Sequence, residues 1–118
     1  MPITNLVFVT KRPDLTFDAF VKYSEEVHVP LTTRLVGPDA MPTEFRRHYT
    51  DSSQPSYIGP QRGLDCVLEM VFDDEAHVGR FMAKLGEGDN AKVLQEDWKE
   101  YIDEKGETVV GVGRGFGY

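Results

Sequence analysis

At 118 residues, 40% hydrophobic and 28% charged, the chain suits one compact domain spanning residues 1–118 and is too short for two cores. With 20 acidic and 13 basic residues its net charge is −7, which repels nucleic-acid backbones and anionic lipid headgroups. A lone cysteine, Cys66, excludes an internal disulfide framework, and the three histidines lack zinc-ligand spacing, so no metal and no redox role is expected.

The first residues, MPITNLVFVTKR, lack the basic start and long apolar run of a secretory leader, and no stretch approaches about 18 apolar residues. A cytoplasmic protein without membrane partners is the expectation. Ile3 to Thr10 is short and rich in β-branched and apolar residues, and Lys11-Arg12-Pro13-Asp14 closes it with turn chemistry, which predicts a strand. From Thr16 the period becomes helical: Phe17, Phe20, Val21, Ser24, Val27, His28, Leu31 and Leu35 share one stripe. Thr16 is placed as N-cap, and Leu15 to staple onto Phe20. Pro30 removes a backbone donor, so the helix is expected to end or kink just after His28, resume through Leu35 and stop at Gly37-Pro38.

Thr43 to Thr50 alternates, with Phe45, Arg47 and Tyr49 on one side and Glu44, Arg46 and His48 on the other, as in a strand with two unlike faces. Asp51 to Gly63, DSSQPSYIGPQRG, is a loop longer than most connections and reads as a functional flap, with Tyr57 and Ile58 its only large groups. Asp65 to Phe72 predicts a third strand. A helix follows, with Asp73 and Asp74 at its positive end and Val78, Phe81, Met82 and Leu85 as its buried stripe. GEGDN interrupts it, AKVLQEDWKEYID resumes with Leu94, Trp98, Tyr101 and Ile102 inward, and Glu107 to Val112 gives a fourth strand. GVGRGFG follows that strand without opening a helix and is no nucleotide fingerprint.

The order β, α, β, β, α in two segments, β predicts an α+β split βαβ arrangement, a four-stranded antiparallel sheet with helices on one face. The other face, carrying Val67 and Val71, is costly to leave in water at roughly 25 cal/mol per Å² of apolar area. A homodimer pairing sheet against sheet is the simple solution.

At about 100° per residue, His28 falls near the centre of the apolar stripe and points inward. One turn earlier the small Ser24 leaves a gap beside it. A core histidine satisfied by a carbonyl or by Tyr49 is one reading. The other is a proton-transfer histidine in a pocket, favoured by the proline, the small neighbour and the long loop. Strand parity turns Tyr49 inward and His48 outward. Tyr23 falls at the rim, Asp97 at a solvated stripe edge and His77 in a surface setting. Asp65 and Glu69 share a face with Val67 and point to the sheet interface, where Arg46 can pair with them. Cys66 reads as buried and inert.

Three segments now assemble: KRPDLTFDAFVKYSEEVHVPL, GLDCVLEMVFDD and EDWKEYID. Together they resemble the EthD domain family, in the dimeric α/β-barrel group with a ferredoxin-like fold, over nearly the whole chain. The resemblance implies that His28 is the family's helix histidine, with Pro30 and Leu31 shaping its surroundings, and that Asp65 and Glu69 are its strand acids. Two positions depart from the family pattern, Ser24 in place of Trp and Cys66 in place of Gly, and the first fits a widened cavity. The resemblance also implies a cofactor-independent lyase or isomerase, of dehydratase, decarboxylase or cyclase type, acting on an aromatic, polyketide-like or lactone substrate of secondary metabolism. His28 would abstract a proton beside a carbonyl while Tyr49 or Tyr57 stabilises the enolate oxygen. Phe20, Ser24 and Leu31 from the helix, Tyr57 from the loop, and Met70, Phe81 and Trp98 beyond would bind the substrate. Two alternatives stand beside this one. A cofactor-free monooxygenase of the same fold would consume oxygen; a non-catalytic small-molecule-binding or stress dimer predicts a collapsed interior around His28.

Overall fold

The computed structural model describes residues 2–51, 54 and 63–114. The expected flap, with Tyr57 and Ile58, lies almost wholly outside them. Four strands form one sheet: β1 (Ile3–Val9), β2 (Glu44–Tyr49), β3 (Cys66–Phe72) and β4 (Thr108–Val112), in the order β2-β3-β1-β4 with every pairing antiparallel. That order is the ferredoxin-like one. β3 inserts between β1 and β2, and the connections after β1 and β3 both carry helices.

Register sorts the side chains by face. Val7 sits opposite Leu68 and Val109, Phe45 opposite Met70, and Tyr49 opposite Cys66, so these residues look toward the helices. Leu6 lies opposite Glu69 and Val110, and Phe8 opposite Val67, on the face that none of the described helices covers.

The helical layer begins with α1 (Phe17–Tyr23), where the Thr16 hydroxyl accepts the Ala19 N–H at 3.1 Å and caps the first turn. The helix does not break at Pro30. It widens through Ser24–His28, a π turn in which Val29 N–H reaches back five residues to the Ser24 carbonyl, and continues as α2 (Val29–Val36). Pro30 has no N–H to give, and its ring crowds the carbonyl one turn earlier. Widening that turn accommodates both. The extra residue also shifts the phase, leaving Val27, expected inside, 41% exposed.

After β3 come α3 (Glu75–Leu85) and α4 (Asn90–Trp98). α3 buries Phe81 with Val36, Ala40 and Phe72, but Met82 stands 58% exposed because none of the described residues covers that flank of its expected stripe. α4 stops at Trp98, short of the predicted Asp103. The chain then turns so that Tyr101 O accepts the Arg12 N–H at 2.9 Å and Ile102 bridges Lys11. Tyr101 and Ile102 are buried with Val7, Val9, Phe20 and Cys66 in a second cluster.

Three side chains sit elsewhere than expected. His77 is 3% exposed rather than on the surface: its Nδ1 accepts the Asp73 N–H at 3.0 Å and its Nε2 bonds the Met41 carbonyl at 2.8 Å, tying α3 to the chain before β2. Asp65 lies just before β3, where β1 has ended, and its buried carboxylate accepts the Lys11 N–H at 3.0 Å instead of facing a sheet interface. Arg46, although opposite Glu69, reaches along its own strand to Glu44 at 3.3 Å, and Glu69 bonds His48 at 3.1 Å.

His77→Leu keeps bulk but strands the Asp73 N–H and the Met41 carbonyl. Urea unfolding should show a loss of about 2 kcal/mol, and a loss under about 0.5 kcal/mol would mean that His77 does not hold these segments together.

Candidate active site

The two clusters of buried side chains do not close on each other. Between them lies an apolar cavity of about 300 Å³, walled by Val7 and Tyr101 from one cluster and Phe81 from the other, with Met70, Leu68 and Leu94 between. Such a volume is at the small end of ligand sites, roughly 300–1,000 Å³. Ser24, buried on the π turn, leaves the room that a larger residue would fill.

His28 stands on this wall at the end of the π turn, between the rings of Trp98 and Tyr101, each with its centroid 5.2 Å away. Its Nδ1 is 2.8 Å from Asp97 Oδ2, and Asp97 Oδ1 accepts the Tyr23 hydroxyl at 2.5 Å. Both members of the pair are nearly enclosed, with His28 and Asp97 side chains 12% and 14% exposed. A carboxylate only accepts, so Nδ1 carries the proton and Nε2 the lone pair. Nε2 has no partner among the described residues, on a side chain that lines the cavity. Burial lowers the His28 pKa from 6.5, opposed in part by Asp97, so the imidazole is neutral at pH 7. Burial and the Asp97 bond push the Tyr23 phenol up to about 12, which keeps it a donor.

The sequence places Tyr23 at the rim and Asp97 in solvent; the π turn is the reason Tyr23 meets Asp97 together with His28. Five residues apart on an α-helix, at about 100° each, Tyr23 and His28 would point roughly 140° apart. In the widened turn both reach one carboxylate. Tyr101, read as core from the sequence, also lines the cavity. The one sequence signal for this arrangement is Pro30, two residues after His28, which disfavours ordinary helix geometry across that turn.

On the other side of the turn Glu25 receives two parallel bonds from Arg47, at 2.8 and 2.7 Å, which hold its pKa below the usual carboxylate value. Tyr49 faces inward as parity requires, but its hydroxyl meets Glu25 at 2.5 Å and Ser24 at 2.7 Å rather than the cavity, and burial raises its pKa well above that of free phenol. Of the other residues marked for the site, Ser24, Met70, Phe81 and Trp98 line the cavity with His28. Phe20 does not; it is packed against Tyr49 and Tyr101 in the core. Leu31 lies off the lining, and Tyr57 is outside the described residues. Cys66 is buried with its thiol pushed up to about 12, a setting for packing rather than nucleophilic attack. Among the described residues no group of three or more His, Cys, Asp or Glu could hold a metal ion, and no helix is long and apolar enough to cross a membrane.

Fold and site together define a ferredoxin-like α+β domain with an apolar cavity beside a carboxylate-held histidine. The chain matches the EthD domain over residues 12–105 and belongs to that family. Among solved structures it is similar to an EthD-like protein of Ralstonia eutropha, at 15% identity and a TM-score of 0.65 over 96% of this chain and 95% of that one. An EthD-family protein of Bacillus halodurans aligns at 19% identity and a TM-score of 0.62, covering 95% of this chain and 98% of its own. A dimeric protein of unknown function and ferredoxin-like fold from Bacteroides fragilis aligns at 12% identity and a TM-score of 0.58, covering 94% of each chain. No curated protein matches the chain significantly.

The depressed His28 pKa links protonation to folding. Below 6.5 the unfolded chain takes up the proton before the folded one does, so stability is complete above that pH. It falls with acidification and levels off once the folded His28 is charged. In Asp97→Asn the opposing carboxylate is gone, and NMR titration should place the His28 pKa lower still; an unchanged or higher value would disprove the pairing.

Proposed function

We propose that this protein is a cofactor-independent lyase or isomerase that moves a proton through His28 on a small, largely apolar carbonyl compound. The observation that carries the reading is the free Nε2 lone pair at an open apolar cavity, with Nδ1 held by Asp97 and Tyr23. His28 takes a proton from carbon beside the substrate carbonyl, Asp97 stabilises the resulting imidazolium, and the proton returns to another carbon or to a leaving hydroxyl. Tyr49, engaged by Glu25, acts as a positioning residue for Ser24 and not as the enolate's donor. With Tyr49 so engaged, a substrate that spreads the enolate charge within itself suits the site. Conjugated 1,3-dicarbonyl compounds of the polyketide-like or lactone class meet that demand. The open cavity also speaks against the collapsed interior that a non-catalytic dimer requires.

The working form is proposed to be a homodimer joined through the bare sheet face, where Leu6, Phe8, Val67, Val71 and Val110 form an apolar patch. The Bacteroides fragilis relative of this fold is dimeric.

Proton transfer can be followed as solvent deuterium entering 6-hydroxy-2-tetralone beside its carbonyl. His28→Ala should lower the rate by about 10²–10⁴-fold, and kcat/KM of the unmodified protein should rise to a plateau with an inflection below pH 6.5. Exchange undiminished in His28→Ala would end the proposal.

Val110→Glu places a charge in the bare apolar face. Sedimentation velocity should show a dimer for the unmodified protein and a monomer for this variant; two dimers would move the interface elsewhere.

A further inference from the structure

Tyr101 lines the cavity, yet the proton transfer described above gives it nothing to do. It sits in the turn after α4, where its carbonyl accepts the Arg12 N–H at 2.9 Å and its own N–H bonds the Trp98 carbonyl at 3.3 Å. Its ring packs among Phe20, Tyr23 and Trp98, with centroids 5.7, 5.1 and 5.6 Å away, and stands 5.2 Å from the His28 ring. A ring held on all these sides aims its hydroxyl in a fixed direction.

That hydroxyl makes no hydrogen bond among the described residues. None of their polar side-chain atoms is both sealed from solvent and without a partner, so the Tyr101 oxygen is not sealed. The residue as a whole is 2% exposed and lines the cavity, so the surface its oxygen keeps opens there. Neighbouring groups on the same wall are committed: Thr32 donates to the His28 carbonyl at 2.9 Å, the Trp98 indole N–H to Glu107 at 3.2 Å, and Ser24 meets the Tyr49 hydroxyl at 2.7 Å. Burial holds the Tyr101 phenol well above its ordinary pKa, eased in part by nearby Ser24, so at neutral pH it keeps its proton.

The oxygen of a carbonyl compound and the carbon that loses a proton are two bonds apart. A base for one and a donor for the other must therefore border the same small space, as His28 and Tyr101 do on one wall of the cavity. We propose that Tyr101 is a catalytic residue whose hydroxyl donates to the substrate's carbonyl oxygen, where conjugation delivers the enolate charge, and so sets which carbon faces His28. As the C–H bond breaks, its electron pair passes into the enolate and its proton to His28 Nε2, while Tyr101 keeps its own proton. This rests on the reading of the cavity as a site of proton transfer and adds the group that orients the carbonyl.

Tyr101→Phe removes the oxygen and keeps the ring. Because the hydroxyl bonds nothing among the described residues, the urea midpoint should not fall. Deuterium exchange into 6-hydroxy-2-tetralone should slow by about 10²-fold. Infrared spectroscopy of bound 2-acetylnaphthalene, isotope-labelled at its carbonyl, reads the contact without turnover. The stretch should lie below its value in cyclohexane in the unmodified protein and in His28→Ala, and return to that value in Tyr101→Phe. A stretch unchanged by Tyr101→Phe, exchange slowed by less than about 5-fold, a lowered urea midpoint, or no binding of the ketone would each overturn the proposal. If the Tyr101-dependent shift is present while His28→Ala still exchanges deuterium, recognition of the carbonyl by Tyr101 stands and the proton-transfer reading fails. If His28→Ala stops exchange while Tyr101→Phe leaves both rate and stretch unchanged, the role of Tyr101 alone fails.

Discussion

The carboxylate of Asp97 is the point on which the site depends. It accepts two protons from one helix, from Tyr23 and from His28, and residues five apart can deliver them together only if the turn between them is wider than an α turn. Hydrogen bonds to a charged group contribute roughly 1.5–3 kcal/mol each, enough to offset the strain of one irregular turn. Pro30 lowers that requirement further, because an ordinary helix would have lacked a bond at that position in any case. The irregular turn, the carboxylate and the proline thus support one another, and each by itself would read as a defect.

The π turn also separates two acids with different surroundings. Glu25 is balanced permanently by Arg47, so its charge organises Tyr49 and Ser24 and does not answer to events in the cavity. Asp97 has only neutral donors while His28 is uncharged, and gains a cation when His28 takes a proton. One carboxylate is structural ballast for the wall. The other stabilises whichever state of His28 carries charge, as an orienting acid does beside a catalytic histidine.

The fold was legible because its signals are local. Alternation in β2, the β-branched run of β3, the Thr16 cap and the Gly37-Pro38 stop each act over a few residues, and the topology follows from their order. The inward direction of His28 and the space beside Ser24 were legible for the same reason. Asp97 was not, since it lies 69 residues from His28 and the helical wheel placed it toward water. Tyr23 was missed because the wheel assumes 3.6 residues in every turn, and the π turn breaks that assumption where it mattered. His77 looked solvated among acidic neighbours, but backbone groups rather than charges claimed both ring nitrogens. Tyr49 shows the reverse case: parity gave its direction correctly, and only the tertiary pairing of Glu25 with Arg47 decides where its proton goes.

A base inside an apolar enclosure restricts the chemistry more than either feature alone. In an enzyme that polarises a carbonyl, donors aimed at the oxygen carry the developing charge. Here Tyr49 is engaged by Glu25, and negative charge created by proton removal goes into the substrate's own conjugation and toward the imidazolium just formed. The apolar lining strengthens the second, because attraction between opposite charges grows as water is excluded. A substrate able to spread the charge then leaves His28 holding a proton close to an electron-rich framework, and where that proton is returned decides between isomerisation and loss of a hydroxyl. On this argument the cavity supplies the base and the enclosure, and the product is determined by which carbon or oxygen of the bound substrate lies nearest Nε2.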